Sequence, residues 1–257
     1  MEIHAPDHWR CVEFISDLHL HASEPKTFRA WEHYLNTTQA DAIFILGDLF
    51  EVWVGDDVLD NASSFEAMCT RRLRSCTQNS VVHVMHGNRD FLLGQGFANA
   101  SGTRLISDPC TLVFGMQRWA LSHGDALCLD DHAYMQFRAM VRSPDWQTSF
   151  LSQPLDQRIE LASNMRAKSE ALKQKGTVYA DVDTEAALGL MVQMNTPTLI
   201  HGHTHKPATH QLDHEHQRIV LSDWDLSVTP ARAQLLRLQL ATSTPHALAA
   251  ERVTVTP

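Results

Sequence analysis

Short apolar runs that each end in a polar, turn-forming cluster set the rhythm of this chain. CVEFIS (11–16) leads into Asp17-Leu18-His19, DAIFIL (41–46) into Gly47-Asp48, and VVHVM (81–85) into His86-Gly87-Asn88-Arg89-Asp90. Further on, TLVF and RWALS flank a turn at Gly115 and lead to His123-Gly124-Asp125, while TLI (198–200) leads to His201-Gly202-His203-Thr204-His205. Apolar, β-branched and aromatic runs of this length bounded by turn signals predict buried strands. Between the first three lie FRAWEHYL (28–35) and SFEAMCTRRLRSC (64–76), both of helical length. Alternating strands and helices predict an α/β protein whose sheet is enclosed on both sides. Ligands gather where the strands of such sheets end, so five polar clusters can converge on one cleft.

Residues 131 to about 195 break that rhythm, with no strand-like run ending in a glycine cluster. Tyr134, Phe137, Arg138 and Val141 keep helical spacing up to Ser143-Pro144, and a second helix is predicted from about Gln157 to Lys175. The expectation is one domain over residues 1–257 carrying a helical insertion at 131–195. Residues 131–180 hold seven basic against five acidic side chains, a net +2, which leaves −11 on the rest of a chain whose total is −9.

Composition narrows the class further. With 257 residues, 44% apolar and 20% charged, the chain has the makeup of a folded, water-soluble protein of one or two domains. A net charge of −9 argues against general affinity for nucleic acid, so any anionic partner must be met locally. Five widely spaced cysteines with no C-x-x-C pair suggest neither a disulfide framework nor a thiolate zinc site. No signal-like start and no run of about 18 apolar residues is present, which predicts a cytoplasmic protein, in contact with a membrane only peripherally. Nothing in the pattern implies an obligate protein partner.

The clusters supply carboxylate oxygens, an amide oxygen and imidazole nitrogens from Asp17, His19, Asp48, Asn88, His123, His203 and His205. This mixture suits a first-row divalent ion such as Mn²⁺, Fe²⁺ or Zn²⁺. Residues i and i+2 of a strand end point the same way, so Asp17 with His19, and His203 with His205, are each expected to present two ligands together. Seven ligands exceed the needs of one ion and match two ions that share a carboxylate, the arrangement used for displacement at phosphorus. A purely structural role would instead require seven polar groups at buried strand ends, each with its own partner.

The motifs ISDLH, GDLFE, HGNRD, SHGD and HGHTH, in that order, resemble the calcineurin-like metallophosphoesterase superfamily over residues 11–224. The longer strings ILGDLFEVWVGDD, HGNRDFLLG, HGDALCLDD, FRAMV and HGHTHKPA resemble, within it, the family that cleaves UDP-2,3-diacylglucosamine in bacterial lipid A synthesis. The resemblance implies a layered β-sandwich flanked by helices, with the 131–195 insertion as a helical lid. It implies two Mn²⁺ ions per chain, one held by Asp17, His19, Asp48 and His205 and the other by Asp48, Asn88, His123 and His203, with Asp48 bridging. It further implies catalytic roles for His19, Asn88 and Arg89, and substrate contacts from Asn88, Arg89, Asp131, Ser169, Lys173 and His203. The pattern departs after Ser169: where relatives carry Asn and then Lys, this chain has Lys173 and then Lys175-Gly176.

Many superfamily members have histidine after the G-N pair, placed to protonate an alkoxide; here the residue is Arg89. Arginine donates no proton at neutral pH but grips phosphate with two hydrogen bonds, which suits a leaving group that is itself a phosphate. An ion pair with Asp90 or another neighbour is the structural alternative. The expected reaction is attack of an activated water on the α-phosphorus, giving UMP and 2,3-diacylglucosamine 1-phosphate at the cytoplasmic face of the inner membrane. On the second helix, Arg166, Ser169 and Lys173 share one face, and Ile159, Ala162, Met165 and Leu172 form an apolar stripe suited to acyl chains. Two other readings compete: a related phosphoesterase acting on another nucleotide diphosphate or a phosphodiester, and a binding scaffold with a spent metal site. His21 and His201 are assigned to structure, Asp125 to orienting His123, and Trp53 and Trp224 to the core.

Overall fold

The computed structural model describes residues 1–174, 181–241 and 248–256, with side chains left out from 166 to 174. Two six-stranded sheets stack face to face. The first holds β2 (Cys11–Ile15), β3 (Ala42–Leu46), β4 (Val81–Met85) and β5 (Arg104–Ile106) in parallel, extended beyond β2 by antiparallel β11 (Gln234–Leu240) and β12 (Leu248–Thr254). The second runs in the order β1 (Glu2–His4), β6 (Cys110–Phe114), β7 (Gln117–Ser122), β8 (Thr198–His201), β10 (Gln217–Val220) and β9 (Ala208–Gln211). β7, β8 and β10 are parallel to one another, so both sheets carry strands whose C-terminal ends are available for a site.

Val12, Phe14, Phe44 and Met85 from one sheet meet Leu112, Phe114, Leu121 and Ile200 from the other, forming the inner core. The outer face of the first sheet is covered by α1 (Pro25–Thr37), α2 (Phe65–Cys76) and α3 (Gln95–Ser101) through Trp31, Tyr34, Cys69, Leu73 and Phe97. Because both faces are covered, every residue of β3 is buried, which is why its sequence is a continuous apolar run rather than an alternating one. Pro25 opens α1 and the Ser64 hydroxyl caps α2 by accepting from the Ala67 amide at 3.0 Å. Trp53 and Trp224 are core residues.

The described residues of the region from 131 to 195 form four helices and no strand: α4 (His132–Val141), α5 (Pro144–Leu151), α6 (Leu155–Gln174) and α7 (Thr184–Met194). They differ in what they cover. Ala187 and Met191 of α7 pack on Ala120 and Leu199, closing the outer face of the second sheet. By contrast α4 to α6 leave Met140, Leu151, Ile159, Leu161 and Met165 exposed. The predicted α6 stripe is split accordingly, with Ala162 packed against the core and Ile159 and Met165 outward, while Leu155 at the start of the helix also packs on the core.

Candidate metal centre

The site begins with backbone geometry. Among the described residues seven non-glycine positions have positive φ, and five of them are predicted ligands: Asp17 (53°), His19 (47°), Asp48 (52°), His203 (67°) and His205 (54°). This corrects the strand-face expectation, because β2 ends at Ile15 and β8 at His201, before either ligand pair. Left-handed turns, rather than the period-two pleat, aim these side chains. Such a conformation costs roughly 1–2 kcal/mol per L-residue, and Asp and His are among the types found there more often. Specific hydrogen bonds offset it: the Asp17 amide donates to Gly47 O at 3.1 Å, the His19 amide to Asp48 O at 3.0 Å, and the His203 amide to Asp17 Oδ2 at 2.9 Å. Gly202 belongs to the same construction, since a Cβ there would sit 2.3 Å from Asp17 Oδ2.

The seven predicted ligands come together. Asp17, His19 and His205 each bring a ligand atom within 4.8 Å of the others, and Asp17, Asp48 and His123 form a second such group. Nε2 of His19 and of His205 face each other at 3.3 Å, and His205 Nε2 lies 3.3 Å from Asp17 Oδ1. Asp48 stands between the halves, with Oδ2 at 3.9 Å from His19 Nε2 and Oδ1 at 3.8 Å from His123 Nε2. Asn88 Oδ1 is 2.9 Å from both His123 Nε2 and His203 Nδ1.

Three observations show that these residues fit cations. His123 Nδ1 donates to Leu46 O at 2.9 Å, so Nε2 is the nitrogen turned to the cluster, 2.9 Å from the amide oxygen Asn88 Oδ1. Both atoms offer electron pairs, so a cation, either a proton or a metal ion, must stand between them. Secondly, burial opposes a charged His123, yet the carboxylates of Asp48, Asp125 and Asp17 outweigh it and raise the ring to about 9. His19 is likewise raised, against its burial, by Glu51 and Asp48. Thirdly, the donor set contains no thiolate, and its oxygens and imidazoles match a first-row divalent ion.

Around this centre the structure revises one role and supplies others. Asp125 does not orient His123, whose Nδ1 is taken by Leu46 O; it binds α4 instead, accepting from Tyr134 Oη at 2.5 Å and Arg138 Nε at 2.8 Å. Arg142, at the end of α4, donates to Gly87 O at 2.8 Å and so ties the helical segment to the Asn88 turn. Asp90 accepts from the Gly87 and Leu49 amides, both at 2.8 Å, locking that turn to the one bearing Asp48. It makes no ion pair with Arg89, whose amide donates to Asp48 Oδ1 at 2.8 Å and whose Nη1 lies 3.5 Å from Glu51 Oε1. Asp131 caps α4 by accepting from the Tyr134 amide at 3.0 Å. The side chains of Ser169 and Lys173 lie outside the described residues, as do those of Arg166 and Leu172. His21 pairs with Ser23, and His201 is buried with Nδ1 against Gly202 O.

A two-sheet sandwich that gathers aspartate, histidine and asparagine ligands beyond its strand ends defines a metal-dependent phosphoesterase. The family model of the calcineurin-like phosphoesterases matches residues 12–207. The UDP-2,3-diacylglucosamine hydrolase of Chromohalobacter salexigens is 45% identical over 216 residues, covering 82% of this chain and 87% of the relative. The protein of that name from Chromobacterium violaceum is 46% identical over 222 residues, covering 83% and 90%, and that from Stutzerimonas stutzeri 41% over 221 residues, covering 83% and 91%. The chain belongs to the calcineurin-like phosphoesterases, in the family of the UDP-2,3-diacylglucosamine hydrolases.

Proposed function

We propose that this chain hydrolyses UDP-2,3-diacylglucosamine, adding water at the α-phosphorus and breaking its bond to the bridging oxygen, so that UMP and 2,3-diacylglucosamine 1-phosphate are released. The observation that carries the reading is the joining of two features, a cation-accepting cluster and an arginine anchored to it. Arg89 is held through its amide to Asp48 Oδ1, which keeps the guanidinium beside the ligands and leaves donors over for a phosphate. Two Mn²⁺ ions, one among Asp17, His19, Asp48 and His205 and one among Asp48, Asn88, His123 and His203, would lower the pKa of the attacking water and offset charge on the phosphoryl oxygens. His19, Asn88 and Arg89 take the catalytic places, with Asn88 and Arg89 adding donors toward those oxygens. A departing sugar phosphate needs little protonation, consistent with arginine where a proton donor would otherwise stand.

The lipid half is assigned to the helical segment at 131–195. Met140, Ile159, Leu161 and Met165 present exposed apolar surface on α4 and α6, and α4 is bonded to the metal-ligand turns through Arg142 and Asp125. Asp131, Ser169, Lys173 and His203 are assigned to the substrate beside them. No helix among the described residues is long and apolar enough to cross a membrane. We place the protein at the cytoplasmic face of the bacterial inner membrane, held there peripherally by its substrate and these apolar groups.

Release of UMP from the UDP-linked lipid, measured beside a panel of soluble nucleotide diphosphates and cyclic nucleotides, tests the reading. The expected result is clear preference for the lipid substrate; equal or faster turnover of the soluble compounds would sink it. A chain that takes up no transition metal and stays inactive with manganese would show a binding scaffold instead.

A further inference from the structure

The two histidines whose Nε2 atoms face each other at 3.3 Å, His19 and His205, also share an arrangement on their outer sides. His19 Nδ1 lies 3.1 Å from Glu51 Oε2, close but off the line of a well-formed hydrogen bond, and His205 Nδ1 lies 3.6 Å from Asp223 Oδ2. Each carboxylate is in turn held by an arginine. Arg89 Nη1 approaches Glu51 Oε1 at 3.5 Å, and Arg232 grips Asp223 with two bonds, Nε to Oδ1 at 2.8 Å and Nη2 to Oδ2 at 2.7 Å. Glu51 and Asp223 are both buried, so neither is there to solvate the surface.

A neutral imidazole has one N–H, and it binds a metal through the other nitrogen. A carboxylate beside Nδ1 keeps the proton on that atom and leaves Nε2 bare toward the ion, while making the ring more basic. His123 is served differently, by the neutral Leu46 carbonyl at 2.9 Å. A carboxylate therefore stands at Nδ1 of His19 and of His205 where His123 has a carbonyl; Asp125 adds its charge near His123 without taking that nitrogen.

We infer that Glu51 and Asp223 are positioning residues for the ion held by Asp17, His19 and His205, each fixing one histidine and each steadied by an arginine. This rests on the two-ion reading of the site. It adds that the two half-sites are unequal and that the half backed by the carboxylates binds its ion more tightly. Because Arg89 is also the proposed phosphate grip, Glu51 joins ligand placement to phosphate binding through one side chain.

The test is titration of the metal-free full chain with Mn²⁺, following the electron paramagnetic resonance of the free ion, in the parent, Glu51→Gln and Asp223→Asn. The parent is expected to take up two ions with different affinities. Each variant is expected to weaken the tighter one about tenfold to a hundredfold and leave the other unchanged. The metal-free melting temperature separates a loss of fold from a loss of site. Should Asp223→Asn fail to fold because Arg232 loses its partner, Glu51→Gln alone decides. Unchanged affinities, or equal weakening of both ions, would overturn the assignment. A parent that binds two ions yet leaves the UDP-linked lipid intact removes the proposed substrate, and the variants still decide Glu51 and Asp223.

Discussion

Gly87 makes room for Asp48: a Cβ at position 87 would stand 2.0 Å from Asp48 Oδ1 and 2.3 Å from the Asp48 amide nitrogen. Neither atom is free to retreat, because Oδ1 accepts from the Arg89 amide and Asp48 is already held at positive φ. Gly87→Ala is expected to displace the central carboxylate. Turnover should fall by about two orders of magnitude, as a misplacement of about 1 Å can cause, with a loss of about 1–3 kcal/mol in stability from overpacking. Steady-state kinetics and urea melts check both; near-parental turnover would contradict the placement.

Arg89 has a separable role. A guanidinium has no electron pair to give a metal, so Arg89→Ala is expected to keep its metal while turnover drops about 10²- to 10³-fold, the usual effect of removing one donor to a charged transition state. Arg89→Lys should recover only part of this, because a lysine cannot supply a planar pair of donors. Metal content measured beside turnover decides the matter, and loss of metal from Arg89→Ala would reassign the residue.

The five clusters were legible because each follows an apolar run, and runs bounded by glycine read as strand ends. The way the ligands are aimed was not, since His203 and His205 look like alternate positions on a strand but lie in left-handed turns beyond β8. Long-range pairing was also invisible: β1 joins β6 and β11 joins β2 across more than a hundred and more than two hundred residues respectively, with no local signal for either. Glu51 stood inside the GDLFE string, three residues after Asp48, yet its role depends on contacts with His19 and Arg89 that only the fold creates. Asp125 shows the converse. Its nearness to His123 in sequence suggested an orienting contact, but the fold turns it toward Tyr134 and Arg138.

A buried guanidinium fastens α6 to the loop after β3. Arg158 is 2% exposed; it donates to the carbonyls of Val54 and Gln153 and pairs with both oxygens of Asp57. Gly55, at φ 130°, leaves the space, since a Cβ there would meet Arg158 Nη1 at 2.3 Å. Arg158→Met leaves the Val54 carbonyl without this donor, and because Asp57 is half exposed the loss should be about 2–3 kcal/mol rather than that of a fully buried pair. The helices proposed to face the lipid should loosen, raising KM more than lowering kcat. Faster proteolytic cutting between α5 and α6 is the expected signature, and an unchanged cleavage pattern would argue against the fastening.

His83 links the inner core to pH. It stacks on Phe44 at 4.6 Å with Trp9 at its edge, and its Nδ1 has no hydrogen-bond partner among the described groups. Burial, aided by the charge of Arg104, lowers its pKa to about 4. The unfolded chain takes up this proton near pH 6.5 and the folded chain only near 4, so the unfolded state binds more protons in between and stability falls as pH drops through that window. The shift corresponds to about 3 kcal/mol, present in full above pH 6.5 and lost by about pH 4. His201, also lowered to about 4 by burial, acts in the same direction, so the parent's loss should exceed that from His83 alone. His83→Phe keeps the aromatic packing and removes one titration. Unfolding free energies from urea melts at pH 7 and pH 4 should differ less in this variant than in the parent, by about 3 kcal/mol, and equal differences would show that His83 is not a source of the acid sensitivity.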